Sequence, residues 1–150
     1  MSETAAELAE FLYCCRWMAI GIPNFVSVSK PLTDILEKAF TKSGKRTKRS
    51  IKSIQLRNLS WGTEHRTAYN ELQESLRNSV RLSFLRDNMT VCVHTDASDD
   101  FWSGVVTQVQ PGEVSKVREE QRHEPLAFVG TSFDKTQKGW TTFEKEAFAI

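Results

Sequence analysis

The sequence predicts a chain of the mixed α+β or α/β class, in which helices come first and a small antiparallel sheet follows. Before residue 78, apolar residues recur at intervals of three and four, which is typical of amphipathic helices. After Asp87, the chain contains three runs rich in β-branched and aromatic residues, which favour strands. Thr141 with Glu144 then forms a capping-box pattern, which indicates the start of a final helix.

Three helices are predicted in the first half. The first begins near Ser2 or Glu3 and is ended by Gly21 and Pro23. Its apolar face consists of Leu8, Phe11, Leu12, Cys15, Met18, Ala19 and Ile22. The second is a short helix with Pro31 in its first turn. Its buried stripe consists of Leu32, Ile35, Leu36, Ala39 and Phe40. The third runs over Thr63–Asn78, with Ala68, Tyr69, Leu72 and Leu76 on one face and Trp61 packed near its start.

A basic band separates the second helix from the third. No acidic residue lies between Glu37 and Glu64, and the stretch 41–53 is predicted to be an exposed loop or weak linker. The candidate nucleic-acid contacts in it are Lys45, Arg46, Lys48, Arg49 and Lys52. These cations either are solvated or contact the phosphate backbone of a nucleic acid. Charge alone leaves both interpretations open.

The three β-rich runs are Thr90–Asp96, Trp102–Val109 and Pro125–Phe133. Turn residues and a long charged connection separate them, which most simply predicts an antiparallel meander. Alternation in the first run places Cys92, His94 and Asp96 on one face. His94 is expected to be a core or edge residue more often than a ligand.

Two carboxylates stand out as candidates for chemistry. Asp96 ends a hydrophobic strand, and Glu146 is free because the capping box already uses Glu144. On a helical wheel Glu146 shares a side with Phe143 and Ile150, so we expect it to face the sheet. Carboxylates on separate elements are the ligands that Mg²⁺ prefers. Each residue also has a structural explanation, Asp96 as a turn-starting residue and Glu146 as a solvated helix carboxylate, and spacing alone favours these explanations.

Composition excludes several classes of protein. The 150 residues are 39% hydrophobic and 26% charged, as in ordinary globular domains. No apolar stretch approaches the ~20 residues of a membrane helix, and the acidic N-terminus is unlike a signal peptide. We therefore expect an intracellular protein without a membrane partner. Three cysteines without CxxC spacing predict neither a disulfide framework nor a zinc site.

Five motifs in order resemble a long-terminal-repeat retrotransposon polyprotein of the Ty3/gypsy type, from the end of its reverse transcriptase into its ribonuclease H-like domain. Two of them precede the predicted sheet, namely GIPNFVSVSKPLTDILEK at 21–38 and LSWGTEHRTAYNELQESL at 59–76. The others are VHTDASDDFWSGVVTQV at 93–109, EPLAFVGTSF at 124–133 and WTTFEKEAFAI at 140–150. Each motif is short, but their order is specific.

The resemblance implies a hydrolase that cleaves the RNA strand of an RNA–DNA hybrid with two Mg²⁺ or Mn²⁺ ions. The family's metal-binding aspartate and glutamate match Asp96 and Glu146. Its further aspartates would lie beyond Ile150, so we expect an isolated fragment to lack the full metal site and to be inactive. The implied partners are the hybrid and the remainder of the reverse transcriptase polyprotein. The implied location is the cytoplasm, within a retroelement particle, or the nucleus.

The resemblance also implies a domain organisation. We predict thumb or connection helices over 1–41, a basic linker over 42–58, a connection helix over 59–87 and a truncated ribonuclease H-like domain over 88–150. That truncated domain would hold three antiparallel strands and then a helix. A second hypothesis is a noncatalytic nucleic-acid-binding or structural module of a decayed retroelement.

Overall fold

The computed structural model describes residues 2–150, in which helices come before and after a three-stranded sheet along the chain. The helices span Ala5–Trp17 (α1), Phe25–Ser43 (α2), Thr63–Arg77 (α3), Lys135–Lys138 (α4) and Thr142–Ala149 (α5). The strands span Thr90–Ala97 (β1), Phe101–Val109 (β2) and Glu124–Ser132 (β3). The order β1-β2-β3 is antiparallel throughout, so the predicted fold class and meander are confirmed. None of the helices within 2–150 has the length and apolarity needed to cross a membrane.

The chain divides into two compact units. The first contains the described residues up to Met18 together with Ser27–Asn78, and the second contains Ala19–Val26 and Ser79–Ile150. The four-part domain organisation predicted from the sequence concerns the parent polyprotein, and it stays a prediction.

In the first unit, α1 begins at Ala5 because Thr4 caps it. The hydroxyl of Thr4 accepts a hydrogen bond from the backbone N–H of Glu7, whose carboxylate accepts from the N–H of Thr4 in return. The predicted apolar face is buried at Leu8, Leu12 and Cys15. The ring of Phe11 stacks on Tyr69 of α3, with centroids 4.2 Å apart.

Helix α2 differs from the prediction at its start. The helix begins at Phe25, so Pro31 lies inside it and not in its first turn. Proline in a sequence indicates a helix start because it fits the first turn at no cost, whereas in a helix interior it removes one hydrogen bond. The predicted buried stripe is confirmed at Leu32, Ile35, Leu36, Ala39 and Phe40.

The basic stretch is also more ordered than an exposed loop. Two short 3-10 helices, Lys48–Ile51 and Leu56–Leu59, bury Ile51 and Leu56. The first of these helices packs on α1. The N–H of Ala5 donates to the carbonyl of Ile54 at 2.9 Å. The expectation of an exposed loop over 41–53 is therefore wrong at Ile51, where one apolar side chain and local backbone bonds hold a polar segment in place.

The second unit is built on the sheet. Asp96 of β1 pairs with Ser103 of β2, close to the turn that joins the two strands. The register of β2 against β3 shifts between Val106 and Thr107. Gly130 of β3 has no room for a side chain, because an added Cβ would lie 2.7 Å from the carbonyl oxygen of Trp102. The strands can therefore approach closely beside the end of β1, where Asp96 lies.

Candidate active site

Asp96 lies at the penultimate position of β1 with an exposed side chain. Across the described residues, its carboxylate has neither a hydrogen-bond nor an ion-pair partner. An aspartate that starts an Asx turn would accept a bond from a nearby N–H. Here that turn is closed by Ser98, whose N–H and hydroxyl both donate to the carbonyl of Phe101. Asp96 is thus available to a ligand.

Glu146 lies on α5, and the capping box that frees it is confirmed. The hydroxyl of Thr141 accepts from the N–H of Glu144, and the Glu144 carboxylate accepts from the N–H of Thr141 at 2.8 Å. That bond from the backbone holds the pKa of Glu144 below its ordinary value. Glu146 is half-buried and, within residues 2–150, has no polar partner.

The face of α5 that packs inward differs from the prediction. Phe143 is 82% exposed and Ile150 is 96% exposed, whereas Lys145 and Ala149 are buried. The expectation that Glu146 faces the sheet together with Phe143 and Ile150 is therefore wrong, because those two side chains face solvent. Hydrophobicity alone favours an inward Phe143 and an outward lysine. Glu146 lies at the border of the buried face instead.

An aromatic cluster holds α5 against the sheet. The ring of Phe148 lies 6.5 Å from Trp102, 6.2 Å from Phe133 and 5.4 Å from Trp140, measured between centroids. Helix α5 contacts both β1 and β2. The indole Nε1 of Trp102 is buried, and no hydrogen-bond partner for it occurs in the described part of the chain. Trp102 and Trp140 thus serve as packing residues beside the two carboxylates.

Ion pairs join the β1–β2 turn to the helices. The ammonium of Lys145 lies 3.6 Å from a carboxylate oxygen of Asp99. Lys138 of α4 pairs with Asp100, whose carbonyl accepts from the N–H of Phe133 at 2.8 Å. Sequence reasoning missed these contacts. Asp99 and Asp100 were recognisable only as turn residues, and pairings across about forty residues have no local signal.

His94 lies on β1 two residues before Asp96 but is engaged elsewhere. Its ring meets that of His123 edge-on at 5.2 Å. Burial, with the charges of Arg118 and His123, lowers the pKa of His94. His123 itself bonds to Thr107 and Gln121. A packing role for His94 agrees with these contacts.

The chemistry of the two carboxylates fits a divalent cation as part of a ligand set. Both are oxygen donors without a protein partner, on packed elements of one unit. Among residues 2–150, no group of three or more His, Cys, Asp and Glu side chains could hold a metal. Asp96 and Glu146 can therefore supply some of the ligands and not all of them.

The basic candidates lie in the other unit and fall into two classes. Arg46 makes two bonds of 2.6 Å to Glu37, and these raise the pKa of its guanidinium, while Lys48 pairs with Glu10. Lys45, Arg49 and Lys52 are exposed, and their side chains have no partner in the described chain. Only the second class is free to meet a phosphate without breaking an ion pair.

A meander whose first strand carries an exposed aspartate, followed by a capped helix with a free glutamate, is the arrangement expected of a ribonuclease H-like domain. The sequence model of the RNase H-like domain found in reverse transcriptase matches residues 61–150, which is more than half of the chain. The chain belongs to this family. The predicted retrotransposon resemblance is confirmed, and proteins of this fold generally use divalent metals.

The relatives extend the match beyond these residues. The chain is 27% identical over 146 residues to the retrovirus-related Pol polyprotein from transposon opus of Drosophila melanogaster. The match covers 96% of this chain and 13% of the polyprotein. The chain thus spans about an eighth of that relative's length.

Solved structures of a foamy viral protease-reverse transcriptase share the fold. One, a "dRH" form in complex with double-stranded DNA, is 20% identical with a TM-score of 0.69, over 99% of this chain and 22% of that one. Another, in complex with an RNA/DNA hybrid, is 19% identical with a TM-score of 0.69, over 99% of this chain and 17% of that one. At this identity the likeness concerns the fold.

Proposed function

We propose that this segment contributes to hydrolysis of the RNA strand of an RNA–DNA hybrid within a retrotransposon Pol polyprotein. The observation that carries the proposal is the pair Asp96 and Glu146, which lack protein partners on elements that pack together. A half-buried carboxylate without donors is unfavourable unless a cation or a ligand compensates it. The family to which the chain belongs supplies the class of reaction.

In this proposal Asp96 and Glu146 bind Mg²⁺ or Mn²⁺ through carboxylate oxygens. A bound cation supplies activation of a water molecule and stabilisation of the leaving oxygen. The role of this chain is to hold the two carboxylates in place on a strand and a helix that pack together. The aromatic cluster around Phe148 fixes α5, and pairing with Ser103 fixes the backbone of Asp96. We assign the remaining ligands to other parts of the polyprotein, of which this chain covers a small share.

The proposed partner is the hybrid, recognised by its shape, phosphates and ribose hydroxyls more than by base sequence. Lys45, Arg49 and Lys52 are the phosphate contacts that we propose, because they alone among the five basic candidates lack acidic partners in the described chain. A retroelement protein that acts on such hybrids belongs inside the cell, in a particle or in the nucleus, and this location is part of the proposal.

The test is Mg²⁺-dependent cleavage of a labelled RNA–DNA hybrid by the Pol polyprotein that contains this segment. We expect Asp96→Asn and Glu146→Gln each to reduce cleavage by about 100-fold or more, with hybrid binding retained. Matched controls are Asp87→Asn and Glu119→Gln, two exposed carboxylates without polar partners within residues 2–150, which should cleave as the unaltered protein does. Binding without cleavage by the unaltered protein would favour the noncatalytic module instead.

A further inference from the structure

Lys145, next to Glu146, is the only lysine or arginine of the described residues whose side chain is buried. Its residue exposure is 6%, so most of the side chain is removed from water. Burial of a charge is costly unless partners compensate it. Here the partners are the fully exposed carboxylate of Asp99, 3.6 Å from Nζ, and the ring of Phe133, whose centroid lies 5.8 Å from Nζ. A lysine kept in this environment therefore favours one arrangement of the helix.

Because Lys145 directly precedes Glu146 in α5, the direction of the lysine side chain also sets the direction of the glutamate. Successive residues of an α-helix differ by about 100° in direction. With Lys145 turned inward, Glu146 lies at the border between the interior and solvent, half-buried. If the helix turned by one residue, Glu146 would become either fully solvated or fully enclosed. The lysine thus determines where the free carboxylate points.

The partner of Lys145 belongs to the turn that follows Asp96. Asp99 precedes Asp100, whose carboxylate pairs with Lys138 and whose carbonyl accepts from Phe133. Both ion pairs join this turn to the segment that holds α4 and α5. The ion pair therefore connects α5 to the turn that follows β1, because Lys145 lies one residue before Glu146 and Asp99 lies three residues after Asp96.

We propose that Lys145 is a positioning residue whose ion pair with Asp99 aligns α5 with the β1–β2 turn, so that Asp96 and Glu146 can bind one divalent cation. This inference rests on the proposed function of those carboxylates. A direct contact between Lys145 and a substrate phosphate is disfavoured, because the side chain is 7% exposed and already paired. Its effect reaches the metal through the geometry of the site.

A measurement of metal affinity distinguishes a positioning role of Lys145 from a purely electrostatic effect of its ammonium group. Removal of a cation near a metal site strengthens metal binding if only Coulomb attraction and repulsion matter. A positioning role predicts the opposite change, namely weaker metal binding when Lys145 is removed. The probe is Mn²⁺ alone, titrated into the Pol polyprotein that contains this segment and followed by the electron paramagnetic resonance of the free ion. We expect Lys145→Met to weaken Mn²⁺ binding about 10-fold, as the loss of a residue that orients a metal ligand does.

Further variants complete the test. Lys145→Arg, which keeps the charge, should recover most of the affinity. Lys145→Met combined with Asp99→Asn should bind no worse than the weaker of the two single variants, because both remove one interaction. The control is Lys135→Met on α4, an exposed lysine without a polar partner in the described chain, which should leave the affinity unchanged. Unchanged or tighter binding by a folded Lys145→Met variant would overturn the proposal.

Hydrogen exchange of the α5 amides, measured without metal, separates this proposal from the proposed function. Asp99→Asn should accelerate exchange in α5 about 10-fold, while Asp87→Asn should not, and this comparison also serves if Lys145→Met fails to fold. If polyproteins with Asp96→Asn and Glu146→Gln bind Mn²⁺ as the unaltered polyprotein does, the proposed function fails even where the exchange data show that the ion pair holds α5. If exchange is unchanged in Asp99→Asn, the positioning role is wrong while the metal site can stand.

Discussion

At the scale of single residues, Gln108 shows how the second unit holds its irregular parts together. Its side chain is fully buried in β2. The amide oxygen accepts from the N–H of Arg86 at 3.0 Å, and the amide nitrogen donates to the carbonyl of Phe84 at 2.9 Å and to Glu124 at 3.1 Å. Arg86 also pairs with Glu124, and bonds from both partners hold the pKa of that carboxyl below its ordinary value. One amide thus attaches the segment before β1 to the sheet.

We predict that Gln108→Leu lowers the free energy of unfolding by about 2 to 4 kcal/mol. The substitution removes the three hydrogen bonds of the buried amide, of which a neutral bond contributes about 0.5 to 1.5 kcal/mol and a bond to a charged group about 1.5 to 3 kcal/mol. Urea denaturation measures the loss, and hydrogen exchange should show faster exchange at the amide of Arg86. Gln110→Leu, at a neighbouring exposed glutamine, should change stability by about 0.5 kcal/mol or less. A neutral Gln108→Leu variant would show that the segment is held elsewhere.

The sequence alone predicts the two carboxylates of the candidate site. It does not predict the contacts that hold α5 and the β1–β2 turn in place. The pattern Thr141 with Glu144 assigns one glutamate to the capping box and leaves Glu146, because capping is a local, short-range interaction. The inward turn of Lys145 depends on Asp99, 46 positions earlier in the chain, and on the ring of Phe133. Hydrophobicity alone predicts the reverse orientation.

At the scale of elements, α2 contains a proline that its packing tolerates. Pro31 is the seventh residue of a helix of 19 residues. It cannot donate to the carbonyl four positions earlier, and its ring crowds that carbonyl. Directly after it, Leu32, Ile35 and Leu36 are buried, so apolar packing offsets the loss. Sequence rules place a proline at a helix start because they weigh local geometry and not this packing.

We predict that Pro31→Ala stabilises the chain by about 1 to 2 kcal/mol. Restoring the N–H and removing the clash gain up to about 3 kcal/mol, and the greater freedom of the unfolded chain returns about 1 kcal/mol. Thermal and urea denaturation measure the change. The control is Lys38→Ala, an exposed position of the same helix without a polar partner within residues 2–150, which should have a small effect. A destabilised Pro31→Ala variant would mean that the proline ring itself packs favourably.

The strands followed from the sequence better than the other elements did. β1 and β2 lie within one residue of their predicted bounds, because β-branched and aromatic residues recur along each run. Helix α4 has four residues, and the 3-10 helix at Lys48–Ile51 also has four. Elements this short follow from caps and from one buried side chain such as Ile51, which no periodicity indicates.

At the scale of the whole molecule, the net charge is only +1, but the charges are unevenly distributed along the chain. The basic band belongs to the first unit, and the carboxylates of the candidate site belong to the second. Sequence composition locates the band but cannot tell which of its cations are already paired. The structure separates the paired Arg46 and Lys48 from the unpartnered Lys45, Arg49 and Lys52 of the described chain.

This separation predicts how hybrid binding depends on salt. Each phosphate contact that is lost should reduce the slope of log affinity against log salt concentration by about 0.7 to 0.9. Replacing Lys45, Arg49 and Lys52 together by glutamine should therefore lower the slope by about 2 to 3, measured by fluorescence anisotropy with a labelled RNA–DNA hybrid. Replacing Arg46 and Lys48 should change the slope less per charge, because Glu37 and Glu10 already neutralise them. Equal changes per charge in the two sets would indicate a diffuse electrostatic attraction, and an unchanged slope in both would place the phosphate contacts outside this band.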